Sequence, residues 1–227
     1  MLERFLRVIG AYAAYERWLD DQVRKRPIPE HVGVILDGNR RWAVTRSGKE
    51  YDGHLYGAKA GQRFLGWCLD LDIKTVTLYA FSMENFNRPR QEVETIFGII
   101  EDEGRRLLKD ERMHRNEVRV KALGRRDLLP KSLQEVLREV EDATQSYDKH
   151  YLNIALAYGG RTEIIDAARK IAGEVGRGQV KPEEIDEQLF MKHLYTAHLP
   201  NPYPDLIIRT SGEERLSGFL LWQSAYS

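Results

Sequence analysis

The stretch His31-Val-Gly-Val-Ile-Leu-Asp37-Gly38-Asn39-Arg40-Arg41-Trp42-Ala43 joins a run of apolar residues to a single aspartate and a polar turn. The apolar run predicts a buried strand that ends at Asp37. Glycine lets the backbone approach a ligand closely, and free N–H groups at the start of a following helix can hold an anion. The junction therefore indicates either an ordinary tight turn or a site for a metal-bound phosphate, in which Asp37 supplies the oxygen ligand that Mg²⁺ prefers.

Apolar, β-branched runs recur along the chain, with helical patterns between most of them. Strands are predicted at 32–36, 75–81, 118–123, 152–158 and 206–208, and helices at about 55–70, 91–115, 130–149, 162–175 and 183–194. Near-continuous apolar strands that alternate with helices are typical of a sheet covered on both faces. The sequence therefore predicts an α/β fold with a mostly parallel central sheet covered by helices.

The composition limits the classes of function. The chain has 227 residues, 42% of them hydrophobic, with 35 basic and 35 acidic side chains. A net charge of zero argues against a nucleic-acid binder that works by bulk electrostatics, so anion recognition has to come from locally clustered arginines. The single cysteine, Cys68, excludes an internal disulfide framework and a cysteine-rich zinc site, and we expect a buried helical thiol. Without a signal peptide or an apolar run of spanning length, we expect a cytoplasmic location.

The first 26 residues differ from the rest, because their apolar residues recur at helical spacing. We expect an amphipathic helix at 1–26, placed before a catalytic domain at 27–227. Such a face packs against a core or a second copy, or lies on a membrane surface. The polar face carries mixed charge, which favours packing and leaves peripheral membrane contact as the alternative.

Four polar motifs each follow a predicted strand. They are Asp37-Gly-Asn-Arg-Arg41, Ser82-Met-Glu-Asn85-Phe86-Asn-Arg88-Pro89, Tyr158-Gly-Gly-Arg161 and Arg209-Thr-Ser-Gly-Glu-Glu-Arg215-Leu-Ser217. Because open α/β sheets bind ligands at the carboxyl ends of their strands, we expect the motifs to form one site. A carboxylate, arginines, hydroxyls and glycines suit Mg²⁺ and phosphates. His54 is either a structural histidine or a phosphate donor at a helix start.

These blocks resemble the cis-prenyltransferases, the undecaprenyl diphosphate synthase-like enzymes. The matching blocks are His31–Ala43, Gly53-His54 with Gly57, Thr77–Pro89, Leu152-Asn-Ile-Ala with Tyr158–Arg161, and Ile208–Ser217 with Phe219–Gln223. They run in family order from about residue 28 to the end of the sequence. The leading helix and the approach at 27–31 look more like archaeal and eukaryotic members of the family than like typical bacterial ones.

The resemblance implies a reaction and its partners. An allylic diphosphate loses pyrophosphate, isopentenyl diphosphate adds to the cationic carbon, and a proton leaves to give a Z double bond. Repetition builds a long-chain polycis-polyprenyl diphosphate, a lipid-carrier precursor. The archaeal-like features indicate geranylgeranyl diphosphate as the primer. The resemblance further implies Mg²⁺ as cofactor and a homodimer.

The resemblance also implies roles for residues that match the family's motifs. Asp37, Ser82 and Asn85 match catalytic positions: Asp37 matches the metal-binding aspartate, and Ser82 and Asn85 match positions near the reacting carbon or its leaving group. Substrate-binding positions are matched by Gly38, Asn39, Arg40, Arg41, Trp42, His54, Phe86 and Arg88 and, for isopentenyl diphosphate, by Arg209, Arg215 and Ser217. An apolar tunnel for the growing chain is implied, with candidate walls at Phe64, Leu65, Ile96, Ile99 and Ile100.

The sequence departs from the family pattern at three points. Glu50 stands where bacterial relatives commonly carry an arginine near the allylic diphosphate, and Gly218 replaces the usual asparagine, which we expect to loosen the loop. The sequence ends at Ser227, where the family continues with a glutamate of the metal site and a basic tail, so we expect that the C-terminal tail is missing.

Two alternatives remain open at this point. The first is a non-catalytic subunit that pairs with an active cis-prenyltransferase, although such partners typically lack the aspartate and much of the loop at 37–41. The second keeps the fold and the site but transfers the prenyl group to another acceptor, for which Glu50 is the sequence hint.

Overall fold

A five-stranded sheet forms the centre of the protein, for which a computed structural model describes residues 11–46 and 52–227. The strands are β1 (His31–Ile35), β2 (Thr75–Ser82), β3 (Val118–Leu123), β4 (His150–Tyr158) and β5 (Leu206–Arg209). They lie in the order β3-β4-β2-β1-β5, and every pairing among them is parallel. The predicted α/β fold with a parallel central sheet is confirmed, and each strand lies within two residues of its predicted bounds at either end.

Helices cover both faces of this sheet. Their bounds are α1 (Ala11–Arg24), α2 (Asn39–Arg46), α3 (Asp52–Asp70), α4 (Arg90–Leu107), α5 (Glu111–Arg115), α6 (Lys131–Thr144), α7 (Gly160–Gly176) and α8 (Glu187–His193). Short 3₁₀ turns occupy Met83–Asn87, Arg126–Leu128 and Pro182–Glu184. Because the helices connect strands that run in one direction, the chain crosses back over a face of the sheet between strands.

Alternate residues of the central strands pack into separate cores on the two faces. On one face Val76 and Leu78 of β2 join a core that includes the buried Cys68 of α3, as predicted for this thiol. On the other face Tyr79 packs with Phe219 and Leu220 from the end of the chain. The alternation explains why the strands read as continuous apolar runs in the sequence.

Two predicted helices are interrupted, so the predictions of single helices at 91–115 and 183–194 are wrong. In the first, α4 ends at Leu107, and the side chain of Asp110 accepts a hydrogen bond from the Arg112 N–H to begin α5. In the second, the side chain of Asp186 accepts from the Leu189 N–H to begin α8. Each aspartate acts as an N-cap, which starts a new helix in the middle of an otherwise helical pattern. Helix α6 also ends earlier than predicted, at Thr144.

Helix α1 forms part of the predicted leading segment, and positions 1–10 lie outside the described residues. Its apolar side chains are exposed, among them Tyr15 and Trp18 at 56% and 55%. The Arg24 side chain donates to the Asp70 carbonyl at the end of α3. The amphipathic role of the segment stays a prediction. In the part of the chain that the structure describes, we find no helix with the length and apolarity needed to cross a bilayer.

A buried chain of polar side chains crosses three strands. The Asn153 amide of β4 donates to the Thr77 hydroxyl of β2 over 3.1 Å, and the Thr77 oxygen lies 2.9 Å from His31 Nε2 on β1. His198 Nε2 lies 2.9 Å from Asn153 Oδ1 at the other end. Burial lowers the pKa of both His31 and His198 to about 4. Both imidazoles are therefore neutral in the folded protein near pH 7.

We expect the free energy of unfolding to fall as the pH is lowered from about 6.5 to 4. In this window an unfolded chain protonates His31 and His198 at their ordinary pKa of 6.5, whereas the folded chain keeps both neutral. The contribution of the two neutral histidines to the free energy of unfolding is therefore complete above pH 6.5. His31 accounts for at most about 3 kcal/mol of this contribution. Urea unfolding followed by circular dichroism at several pH values measures the effect. His31→Gln should remove about half of the pH dependence in this window, and an unchanged slope would refute its assignment to this histidine.

Candidate active site

One cavity of about 910 Å³ opens at the carboxyl edge of the sheet. It is lined by residues from all four polar motifs, which follow β1, β2, β4 and β5. The predicted site residues that line it are Asp37, Gly38, Asn39, Arg40, Arg41, His54, Ser82, Asn85, Arg88, Arg209 and Ser217. The four motifs therefore line one cavity, as predicted, because parallel strands end at the same edge of the sheet.

Asp37 and Arg209 form an ion pair between the ends of neighbouring strands. Arg209 Nη2 donates to Asp37 Oδ2 over 2.6 Å, and Arg209 Nε donates to the same oxygen over 3.1 Å. The other carboxylate oxygen accepts from the Gly38 N–H at 2.7 Å. Because β1 and β5 pair in parallel with Ile35 opposite Arg209, the register brings these side chains together.

The Asp37 carboxylate is held in its ionised form. Burial on its own raises the pKa of this group, and hydrogen bonds from Arg209, Ser211 and the Gly38 N–H outweigh that effect and lower the pKa below its ordinary value. The Asp37 side chain is 36% exposed and the Arg209 side chain 11%. Asp37 therefore presents a negative charge to the cavity while remaining partly accessible to a ligand.

Arg209 also organises the loop that follows β5. Its Nη1 donates to the Ser217 hydroxyl over 2.9 Å and to the Arg215 carbonyl, and its Nε donates to the Ser211 hydroxyl over 3.2 Å. Ser217 has a φ of 48°, in the left-handed region that residues with a side chain rarely adopt. Such strain is typical of functional loops that are held by their surroundings.

Glu92 is a fully buried carboxylate that joins three predicted substrate-binding side chains. Its Oε1 accepts from Arg88 Nη1 at 2.9 Å and lies 3.2 Å from His54 Nε2, and its Oε2 accepts from Arg40 Nη1 at 3.2 Å. The Glu92 side chain has no exposed surface, whereas Arg40 is 45% exposed. Glu92 thus holds the ends of the Arg40, His54 and Arg88 side chains. These three side chains also line the cavity.

His54 is neutral in this setting. Burial is the largest influence on its pKa and lowers it, the Glu92 carboxylate opposes this, and the net result is a lowered pKa. A neutral imidazole beside Glu92 donates through Nε2 and keeps Nδ1 as an acceptor. His54 therefore acts here as a hydrogen-bonding group without a full positive charge.

Two glycines of α3 lie close to Asn39, the first residue of α2. A Cβ atom at Gly53 would lie 2.1 Å from the Asn39 carbonyl oxygen, and one at Gly57 would lie 2.5 Å from the Asn39 side chain. The contact at Gly53 is with backbone atoms, so glycine is required there, whereas the contact at Gly57 is with the end of the Asn39 side chain, which can rotate away. The close contact of α3 with Asn39 brings His54, which lies between the two glycines in the sequence, next to the start of α2.

The second motif forms a 3₁₀ turn after β2. The Asn85 side-chain oxygen accepts a hydrogen bond from the Ser82 N–H over 3.0 Å, which closes the turn on itself. The amide nitrogen of Asn85 remains on the side chain as a donor for a ligand in the cavity, which both residues line. Ser82 and Asn85 are therefore held next to each other at the strand end.

Three predicted substrate-binding residues lie away from the main cavity. Phe86 packs in the core with Phe81 and Phe97, with ring centroids 4.9 and 6.1 Å apart. Trp42 packs on Tyr56 and lines a smaller cavity together with Thr45 and Thr210. The Arg215 side chain is 72% exposed and pairs with Glu213 over 3.4 Å. Substrate roles for these three residues stay predictions.

Two of the three departures from the family pattern concern this region. Glu50 lies outside the described residues. Gly218 has a φ of 80°, and its carbonyl accepts from the Gly160 N–H over 2.7 Å at the start of α7. This bond ties the loop after β5 to α7, and glycine suits the left-handed backbone at this point.

The residues at this edge fit a magnesium ion that is held together with a substrate. Among the described residues there is no group of three or more histidine, cysteine, aspartate or glutamate side chains placed to hold a metal. Mg²⁺ commonly takes one or two carboxylates and completes its octahedron with water and substrate phosphate oxygens. The ionised, accessible Asp37 carboxylate beside a cluster of arginines meets that requirement.

The inner part of the cavity is apolar. Helix α4 contributes Ile96, Ile99 and Ile100, and the sheet contributes Leu78 and Ile154. Three of the predicted tunnel walls therefore line the cavity on α4, and Leu65 does so on α3, whereas Phe64 packs against the core. The cavity joins an ionic mouth to an apolar interior, which suits a ligand with a charged head and a hydrocarbon chain.

Comparisons with known proteins agree with this arrangement. Residues 35–227 match the profile of the family described as "Putative undecaprenyl diphosphate synthase". The chain is 51% identical over 224 residues to the tritrans,polycis-undecaprenyl-diphosphate synthase (geranylgeranyl-diphosphate specific) of Methanocaldococcus jannaschii, covering 99% of this chain and 80% of that protein. The protein of the same name from Archaeoglobus fulgidus is 51% identical over 213 residues, covering 94% and 84%.

A solved structure is similar over most of the fold. Lavandulyl diphosphate synthase from Lavandula x intermedia, in complex with dimethylallyl diphosphate, superposes with a TM-score of 0.84 at 38% identity. The match covers 88% of this chain and 84% of the plant protein. The fold and the site thus define a prenyltransferase of the cis type. The chain belongs to the undecaprenyl diphosphate synthase family of cis-prenyltransferases.

Sequence reasoning missed Glu92. The signal that was available is its position, three residues after Pro89 in the first turn of a helix that follows a polar motif. A glutamate at such a position is more often an ordinary residue of the first helical turn, whose negative charge interacts favourably with the helix dipole. Its function as the common partner of Arg40, His54 and Arg88 depends on contacts between distant parts of the chain.

We expect Glu92→Gln to lower kcat/KM for the allylic diphosphate by roughly 10- to 100-fold, as is typical when a residue that orients ligand-binding groups is removed. The amide keeps the shape of the side chain but removes the charge that holds two arginines. Steady-state kinetics with varied allylic substrate measure the effect. The matched control is Glu94→Gln on the same helix, which removes an exposed pair with Arg90. Equal kinetics for the two variants would show that Glu92 does not position these groups.

Proposed function

We propose that this chain condenses isopentenyl diphosphate with geranylgeranyl diphosphate, repeatedly and with cis geometry, to make a long-chain polyprenyl diphosphate lipid-carrier precursor. The observation that carries the proposal is the continuity of the cavity, which joins Asp37 and the arginines at its mouth to isoleucines inside. The names of the two archaeal relatives support the choice of primer and product.

Two groups of side chains at the mouth suit the two diphosphates. Arg40 and Arg88, held by Glu92, would bind the allylic diphosphate together with the N–H groups that begin α2. Arg209 and Ser217, which are already hydrogen-bonded to each other, would bind the diphosphate of isopentenyl diphosphate. Guanidinium groups bind phosphate oxygens through two parallel hydrogen bonds, which orients both substrates.

In the reaction the allylic C–O bond breaks, and its electron pair leaves with the diphosphate. The double bond of isopentenyl diphosphate forms the new C–C bond, and a proton is lost from the adjacent carbon to give the new double bond. Asp37 would hold Mg²⁺, which supplies charge stabilisation for the leaving diphosphate when bound. The preorganised arginines stabilise the same developing charge without having to reorganise. Ser82 and Asn85 lie at the mouth, where they can orient the leaving group.

The apolar interior protects and stores the growing chain. A carbocation-like centre has to be kept from water, and the isoleucine-lined part of the cavity provides that environment. Each methylene buried there contributes about 0.8 kcal/mol. The diphosphate mouth and the hydrocarbon interior would therefore hold opposite ends of the same molecule.

We also propose that the chain acts as a homodimer in the cytoplasm. The support is the row of exposed apolar side chains on α1, including Tyr15, Trp18 and Leu19, which suits packing against a second copy. Peripheral contact with a membrane is the alternative use of this face, and the mixed charge of the helix is less suited to it.

A primer assay tests the proposed function. The protein is incubated with Mg²⁺, labelled isopentenyl diphosphate and, separately, dimethylallyl, farnesyl and geranylgeranyl diphosphates. We expect a ladder of long cis products, with geranylgeranyl diphosphate used most efficiently. Incorporation from none of the primers would favour the partner-subunit or the altered-acceptor alternative. A single condensation would contradict the long-chain product.

Asp37→Ala should lower turnover by about 1,000-fold or more, since it removes both the metal ligand and the partner of Arg209. The expected loss is in kcat at saturating Mg²⁺ and substrate. Asp20→Ala, which removes an exposed carboxylate of α1, is the control and should leave turnover unchanged. Turnover within threefold of the unsubstituted protein would exclude Asp37 from the reaction.

A further inference from the structure

The third polar motif, Tyr158-Gly-Gly-Arg161, reaches the mouth of the cavity but has no role in the reaction proposed above. It follows β4 and begins α7. The motif residues that line the cavity are Gly159, Gly160 and Arg161, together with Ser217 and Gly218 of the loop after β5. Arg161 is the charged side chain of the motif, and it is exposed. The motif therefore adds a positive charge to the mouth.

A close backbone contact joins the start of α7 to the loop after β5. The Gly160 N–H donates to the Gly218 carbonyl over 2.7 Å. A Cβ atom at Gly160 would lie 2.7 Å from the same carbonyl oxygen, so glycine lets the two backbones come this close. In the sequence Ser217 precedes Gly218, and Arg161 follows Gly160. Arg161 and Ser217 therefore flank one contact, and both line the cavity.

The first turn of α7 is fixed by the buried carboxylate of Glu163. Its Oε2 accepts from the Tyr158 hydroxyl, and its Oε1 accepts from the Tyr195 N–H over 2.8 Å and from Gln223 Nε2 over 3.1 Å. These partners come from β4, from the segment after α8 and from the segment after β5. The backbone at Arg161 is therefore held in place, while its side chain is exposed at the mouth.

Three arginines at the mouth already hold carboxylates in ion pairs. The pairs are Arg40 and Arg88 with Glu92, and Arg209 with Asp37. Arg161 differs from them, because no hydrogen bond or ion pair engages its guanidinium within residues 11–46 and 52–227. All of its N–H donors are therefore available to a ligand.

The second diphosphate requires positive charge beside Ser217. Arg209 contacts Ser217, but the ion pair with Asp37 offsets its charge. Arg215, which the resemblance to the family places at the isopentenyl diphosphate, is 72% exposed and pairs with a neighbouring carboxylate. A guanidinium binds phosphate oxygens through paired hydrogen bonds. Arg161 thus supplies an uncompensated positive charge of the kind that this diphosphate needs.

We propose that Arg161 binds the diphosphate of isopentenyl diphosphate together with Ser217. The inference rests on the proposed function and adds a substrate-binding residue to the second diphosphate site. In the condensation the allylic C–O bond breaks, whereas the C–O bond of isopentenyl diphosphate stays intact. Arg161 therefore contacts a group that does not leave, and its removal should weaken binding of isopentenyl diphosphate more than it slows the reacting step.

Steady-state kinetics with varied isopentenyl diphosphate test the inference. Arg161→Met keeps the apolar stem and removes the charge, so the KM for isopentenyl diphosphate should rise roughly 10- to 100-fold. The KM for the allylic diphosphate and kcat at saturating substrate should stay within about threefold of the wild-type values. Arg169→Met, which removes an exposed arginine of the same helix, is the matched control and should leave all three values unchanged.

A conservative variant covers the case in which Arg161→Met does not fold. Arg161→Lys keeps the charge but loses the planar fork of donors, and its KM for isopentenyl diphosphate should rise at least about threefold. A wild-type KM for isopentenyl diphosphate in Arg161→Lys, or in a folded Arg161→Met variant, would overturn the inference.

Direct binding separates the inference from the proposed function. Isothermal titration calorimetry with Mg²⁺ and isopentenyl diphosphate, without a primer, should give a Kd at least about tenfold higher for Arg161→Met than for the wild-type protein. If the wild-type protein binds isopentenyl diphosphate but elongates no primer, the proposed function fails, and the titration still decides the role of Arg161. A wild-type protein that elongates primers beside an Arg161→Met variant with unchanged Kd refutes only the inference. A wild-type protein that binds no isopentenyl diphosphate overturns both.

Discussion

The buried carboxylate of Glu92 is the interaction on which the mouth of the site depends. It lies in the first turn of α4 without exposed surface, and it contacts Arg40 of α2, His54 of α3 and Arg88 of the preceding turn. A buried charge is costly unless it is paired, so the three side chains are held in place whenever the fold is formed. The site thus has its arginines oriented before a diphosphate arrives.

A second ion pair, between Asp37 and Arg209, holds the ends of two neighbouring strands together. Asp37 follows β1 and Arg209 ends the neighbouring strand β5, and their contact joins the loop after β1 to the loop after β5. Arg209 in turn holds Ser217 and the Arg215 carbonyl, so the geometry of the second loop depends on this residue. The two diphosphate sites inferred above are therefore built from elements that share one sheet edge.

Features of the fold and the site that depend on local sequence patterns could be predicted, whereas features that depend on contacts between distant residues could not. The strands and the convergence of four motifs followed from local apolar runs and from the fact that parallel strands end together, as Asp37 and Arg209 illustrate. The breaks at Asp110 and Asp186 were missed because each depends on one capping side chain within a helical pattern. Glu92 was missed because its partners come from different helices, and no local pattern pairs it with Arg40 or His54. Phe86 belongs to a polar motif, yet its ring packs with Phe81 and Phe97.

The central claim is that one cavity holds both ends of an allylic diphosphate. The most direct measurement is a crystal structure of the protein with Mg²⁺ and a non-reactive thiolo analogue of geranylgeranyl diphosphate. We predict electron density for the diphosphate beside Arg40 and Arg88 and for the hydrocarbon tail beside Ile96 and Ile99 of α4. A tail that leaves the mouth toward solvent, or a diphosphate bound away from these arginines, would show that the cavity does not serve the reaction as described.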